Sequence, residues 1–131
     1  MATTQQNKRE YFKRLREEWK RSKELAEQDQ EAKAIYREHG LKVSYTNFYI
    51  ALNTMRALGW EGIPYVHCKT FKRWKEAGYV VKKDEKSKIK GITWIHPTYT
   101  DPETGEVQED LDSVFPKVFH LFHESQVTEI H

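Results

Sequence analysis

The spacing of the apolar residues changes at Gly78, and this change restricts the chain to a mixed fold. Upstream, from Asn7 to about His39, there is no glycine or proline, and Phe12, Leu15 and Trp19 recur at helical spacing. This predicts one long helix or two shorter ones, with a break at Gln28-Asp29-Gln30 and Gly40 as a C-terminal cap. Residues 1–6 are polar and expected to be loose. Ser44 or Thr46 is placed to cap a second helix, about Asn47 to Leu58, whose apolar face is Phe48, Ala51, Leu52, Met55 and Leu58 and which Gly59 ends. Trp60 to Tyr65 reads as a loop with two aromatics. Thr70 caps a short helix, Phe71 to Ala77, closed by Gly78. Downstream, Tyr79 to Lys83 and Ile89 to Ile95 are β-branched and aromatic, joined by the polar turn Asp84-Glu85-Lys86-Ser87. Gly91 marks a bulge or a close backbone approach. Pro97 to Asp112 is a polar, acidic excursion with a turn at Asp101 to Gly105, and Phe115 to about His123 is a third strand. The expected fold is α+β: N-terminal helices packed on a small antiparallel β-sheet containing a long basic hairpin. Within one compact unit, residues 1–43 form a basic helical extension and 44–131 the main domain.

With 131 residues the chain has room for one core. Its single cysteine, Cys68, cannot form an internal disulfide. The start, Met1 to Gln6, lacks the apolar run of an export signal, and no stretch approaches the ~18 apolar residues of a membrane span. The expected location is a reducing cytoplasm, with no membrane partner.

The net charge of +2 is unevenly distributed. Lys8 to Lys23 carries eight basic and three acidic residues; Lys69 to Lys90 carries nine and three; Asp101 to His131 carries one lysine against eight acids. Basic blocks attract polyanions. The second block is the informative one. Lys82, Lys83, Lys86, Lys88 and Lys90 sit on the arms and tip of the expected hairpin, Lys69, Lys72, Arg73 and Lys75 lie on or beside the helix before it, and Tyr79 and Trp94 share its strands. Cations along a phosphate backbone, with ring faces for unstacked bases, are what single-stranded nucleic acid requires. The expected site is therefore Lys72, Arg73, Tyr79, Lys82, Lys83, Lys86, Lys88, Lys90 and Trp94. The plainer alternatives are Trp94 as sheet core and the lysines as an anti-aggregation device.

Several stretches, in this order, carry a family resemblance: Tyr45 to Leu52, Thr70-Phe71-Lys72-Arg73-Trp74, Ala77 to Ser87, Ile92, Pro116-Lys117-Val118-Phe119, and Ser125-Gln126. Together they resemble the N-terminal domain of the ArdC antirestriction family over about Tyr45 to Val127. The resemblance implies a single-stranded-DNA-binding module of a phage or mobile element, with Lys82, Lys83, Lys86 and the sheet aromatics on the binding surface. RNA is the alternative polymer. Asn47 and Gln126 match family positions; a buried amide pinning backbone groups is the favoured role for Gln126, while Asn47 is left open between that and binding. Asp84 and Ser87 stand where the family pattern has turn glycines, which implies a less tight tip. His120 to Glu124 departs from the family spelling.

No reactive constellation emerges, so binding rather than catalysis is expected, without cofactor or metal. His123-Glu124-Ser125-Gln126-Val127 has valine where a zinc-binding H-E-x-x-H needs its second histidine. His120, His123 and His131 read as surface residues. Cys68 beside His67 lacks an orienting acid, and no glycine loop cradles phosphate. Two further partners are expectations from sequence: a host defence protein docked by the acidic segment Asp101 to Asp112, and a second copy of the chain through the Phe12, Leu15, Trp19 stripe.

Overall fold

The computed structural model describes residues 4–109 and 114–130. Among the described residues, four helices, α1 (Thr4–Gln28), α2 (Gln30–His39), α3 (Tyr45–Leu58) and α4 (Phe71–Glu76), combine with seven strands. The strands are β1 (Cys68–Lys69), β2 (Tyr79–Val81), β3 (Ile89–Ile95), β4 (Thr98–Thr100), β5 (Val107–Glu109), β6 (Phe115–His123) and β7 (Val127–Glu129). The fold is α+β, as the change of period implies. Helix begins at Thr4, earlier than the loose start expected.

Local chemistry sets the helix ends. Asp29 leaves the helical region (φ −94°, ψ 95°) and its carboxylate accepts from the Ala32 amide, ending α1 and starting α2. That bond first, and a second from Arg56 Nη1 at 2.9 Å, hold the Asp29 carboxyl below the ordinary carboxylate range. Ser44, rather than Thr46, caps α3 by accepting from the Asn47 amide, while Thr46 is buried inside the helix. Gly40 (φ 54°) and Gly59 (φ 70°) take the left-handed caps that end α2 and α3.

The main sheet is antiparallel in the order β1-β6-β3, with β3 and β6 in unbroken register from Ile89↔Leu121 to Ile95↔Phe115. Gly91 is a close approach and not a bulge: a Cβ there would lie 2.1 Å from the Phe119 ring, which lies across the bare backbone. Side-chain alternation puts Ile89 and Gly91 on one face and Lys90, Ile92 and Trp94 on the other. α3 covers the first face, packing Ala51 and Met55 against Ile89, Leu121 and Cys68. α1 reaches the second, with Trp19 edge-on to Trp94 (centroids 5.8 Å) and Glu18 paired to Lys90 at 2.9 Å. At the sheet end Phe12 stacks on Phe115 at 5.3 Å. The Phe12, Leu15, Trp19 stripe, expected as an oligomer seam in one reading, is thus engaged by its own sheet, and Leu15 is buried. Ala26 and Ala32, from the first 43 residues, share a core with Phe48, Tyr49 and Leu52.

The expected basic hairpin does not form. β2 pairs with β7 (Tyr79↔Glu129 to Val81↔Val127), not with β3. β3 already has β6 along one edge. On its other edge the Asn47 amide donates to Ile92 O and accepts from Ile92 N, both at 2.9 Å, as a neighbouring peptide would. No edge of β3 is left at that point for β2. A true hairpin forms further on, where β4 and β5 pair across the expected turn, with Gly105 (φ 72°) donating to Asp101 O at 2.8 Å. Asp110 and Asp112 of the acidic segment lie outside the described residues.

Candidate nucleic-acid interface

The segment 82–88 is a stapled loop. Gln126, buried in the 3₁₀ turn Glu124–Gln126, donates through Nε2 to Lys86 O (2.7 Å) and Glu85 Oε2 (3.1 Å) and accepts from the His123 amide (3.0 Å). Ser87 Oγ bonds the carbonyls of Leu121 (2.8 Å) and Ile89 (2.9 Å). Lys82 N donates to Gln126 O, and its ammonium to Ser125 O at 3.1 Å. Gln126 thus has the expected role, an amide pinning backbone, and Asn47 has the same role at the sheet edge. These bonds leave Lys82, Lys83, Lys86 and Lys88 exposed around one small turn.

Asp84 holds the tip at φ 68°, the left-handed conformation that glycine adopts without strain. The tip therefore holds a non-glycine residue in a conformation that favours glycine. Asp84→Gly is expected to raise stability by about 0.5–1 kcal/mol, a rise in Tm of a few degrees, read by thermal denaturation. An unchanged or lowered Tm would mean that the aspartate carries a compensating contact.

α4 and the loop flank the ends of β2, a ribbon only about 10 Å long. Lys72, Arg73 and Lys75 are exposed on α4. Phe71, at its first position, is 51% exposed. On the other side of the loop, the half-buried Trp60 stacks on the His123 ring (centroids 4.7 Å, 19°), and Lys88 Nζ lies 5.8 Å from its centroid. Among the described residues the ion pairs are Lys33–Glu27, Arg56–Asp29, Arg56–Glu31 and Lys90–Glu18. None involves a cation of α4 or of the loop.

Of the nine expected site residues, six are exposed on α4 or the 82–88 loop: Lys72, Arg73, Lys82, Lys83, Lys86 and Lys88. Lys90 and Trp94 are not. They face α1, and Lys90 is neutralised by Glu18. Tyr79 is half-buried, its ring edge-on to Trp74 at 5.3 Å. The aromatics beside the cations are instead Trp60 and Phe71, whose sequence positions mark them only as a loop residue and a helix residue. An apolar ring at the first turn of a helix too short to bury it was the available signal for Phe71. Trp60 had no local signal, since its partner His123 is distant in sequence.

The histidines do not converge. Alternation along β6 puts His120 and His123 on opposite faces. The expectation of a surface residue fails for His123: it is buried, with Nε2 2.7 Å from Glu61 O and Nδ1 2.9 Å from Ser125 Oγ. His120 is exposed, and His131 lies outside the described residues. Cys68 is fully buried with Sγ 3.4 Å from Met55 Sδ, and burial pushes its thiol up to about 12.

Fold and surface together define an α+β module whose α4 and 82–88 loop expose seven cations against the three acids Glu76, Asp84 and Glu85, beside the exposed Phe71 ring and the half-buried Trp60 ring. No protein-family model matches the chain, and no curated protein sequence matches it significantly. Among solved structures, the metal-free crystal structure of the antirestriction protein ArdC from plasmid R388 is similar, at 21% identity and a TM-score of 0.49. The match covers 66% of this chain and 29% of that one, so this chain spans less than a third of that protein's length.

Proposed function

We propose that the chain binds single-stranded nucleic acid, DNA foremost, without sequence specificity, across α4, the 82–88 loop and Trp60. The observation that carries this reading is the set Lys72, Arg73, Lys75, Lys82, Lys83, Lys86 and Lys88: all are exposed on two neighbouring elements, with no carboxylate paired to them among the described residues. Cations free of direct ion pairs release condensed counterions from a strand on binding, which makes affinity steep in salt. Phe71 supplies an exposed ring face on which an unstacked base gains ~1–3 kcal/mol, and Trp60, with one face against His123, can take a base only on its other face once the Lys88 side chain moves aside. A duplex keeps its bases stacked on one another, so the rings favour the open strand. A role in shielding entering or replicating strands, including from restriction, fits such a surface.

Competition between a labelled oligonucleotide of roughly 30 residues and its duplex, at several salt concentrations, tests the reading. The open strand is expected to win at every salt concentration, with affinity falling linearly on a log–log plot. Duplex preference, or affinity insensitive to salt, would contradict it.

A second reading rests on the β4–β5 hairpin, which among the described residues forms its own two-stranded sheet and exposes Glu103 and Glu106. It offers an acidic surface for a basic partner such as a host defence enzyme. Removing Thr100 to Asp110 would abolish inhibition of that enzyme and spare oligonucleotide binding.

A further inference from the structure

A cleft of about 410 Å³ opens between the α2–α3 connection, β1, the start of α4 and β6. This lies within the ~300–1,000 Å³ span of small-molecule sites. Leu41, Val43, Phe119 and Leu121 give it apolar walls, and Lys42, Lys69 and Arg73 are its charged lining residues, with no acid among the residues that line it. Lys69 is fixed there, its ammonium 2.9 Å from Val66 O and 4.4 Å from the Trp74 centroid. Lys42 and Arg73 are exposed.

Tyr65 also lines the cleft and departs from ordinary structure twice. Its backbone has φ 68°, a left-handed conformation in a bulky residue, and its buried hydroxyl has no hydrogen-bond partner. Strain and an unmade hydrogen bond on one cleft residue are features that collect at ligand sites. An aliphatic anion would satisfy the cations and the walls but not the hydroxyl. A flat heterocycle with polar edges and an attached phosphate answers all three.

We propose that this cleft takes one unstacked nucleotide, its base between the apolar walls and its phosphate at Lys42 and Arg73. Arg73 belongs to both the cleft and the basic patch, so the inference deepens the strand-binding reading and rests on it for the source of the nucleotide. The hydroxyl is shut off from solvent, so pairing needs the Tyr65 ring to turn toward the cleft. The nucleotide is either free or part of a strand, and the test separates the two.

The ¹⁵N-labelled full chain is titrated with adenosine monophosphate, with inorganic phosphate and with an oligothymidylate. The expected result is saturable movement of amides at 41–43, 68–73 and 119–121 with the nucleotide, at least tenfold tighter than with phosphate. Arg73→Gln should weaken it severalfold. Tyr65→Phe should weaken it about tenfold while leaving the Tm unchanged or higher, because the hydroxyl it removes is unpaired in the free protein. A structural role alone would lower the Tm and leave the affinity unchanged. If only the oligonucleotide moves the cleft amides, the nucleotide enters as part of a strand and the proposal stands. It is overturned if phosphate binds as tightly as the nucleotide, or if the oligonucleotide binds while the cleft amides stay still and the nucleotide is silent. Nucleotide binding with no oligonucleotide binding would keep the cleft and remove the strand-binding function.

Discussion

Reversing the charge of Lys82, Lys83 and Lys86 to glutamate is expected to lower affinity for a single-stranded oligonucleotide roughly 100-fold or more at 0.1 M salt. Each phosphate contact on a single strand contributes about 0.7 to the log–log salt slope, so losing three should flatten it by about 2. The Tm should hardly move. All three side chains are exposed, and the bonds that shape the loop come from Gln126, Ser87 and backbone groups, which the triple variant retains. Only the Lys82 ammonium contact to Ser125 O is lost, and it is exposed. Binding measured by anisotropy at three or more salt concentrations, with a melting curve on the same sample, checks both halves. Wild-type affinity in the triple variant would remove the loop from the site. A collapsed Tm would show the lysines to be structural.

The largest stability effect is expected from Asn47→Leu. Its side chain is the partner of both Ile92 N and Ile92 O, and all three groups are buried. Leucine is of similar size but offers no hydrogen bond, so a buried donor and acceptor are stranded at about 1–3 kcal/mol each. A loss of about 2–4 kcal/mol, lowering the Tm by roughly 10 °C, should follow. Asn47→Asp separates the two groups: the carboxylate can still accept from Ile92 N but cannot donate to Ile92 O, and it brings a buried charge. Both variants should be strongly destabilised in denaturant melts. A loss under about 0.5 kcal/mol for the leucine variant would mean that another group or a water takes over the edge of β3.

The helices were legible because their ends are local. Ser44, Thr70, Gly40 and Gly59 act within a few residues of themselves, and the break at Asp29 rests on one carboxylate and an amide three positions on. Strand partners were not legible, because a short strand carries little information about its mate. Tyr79–Val81 has the composition of a hairpin arm, yet its partner is Val127–Glu129, near the far end of the chain. The short gap to Ile89 made the wrong partner look natural. Two signals could have corrected the site. Alternation puts Lys90 and Trp94 on the same face as Ile92, an apolar residue expected to point inward, so these three were bound to face other protein together. Asp84, a residue type that tolerates the left-handed region in turns, marked a turn shaped by its surroundings. The cations themselves were readable, since long charged side chains on a short helix and a polar loop have nowhere to go but solvent. The ring beside them was not, because Trp60 is placed by His123, near the far end of the chain.

Photocrosslinking tests the surface most directly. An oligonucleotide carrying 5-bromodeoxyuridine is irradiated in complex with the full chain and the attachment sites are mapped by mass spectrometry. Crosslinks are expected at Trp60, Phe71 and the 82–88 loop, lost in excess unlabelled single strand and retained in excess duplex. Crosslinks concentrated on α1 or on the β4–β5 hairpin, with those three places unmarked, would contradict it.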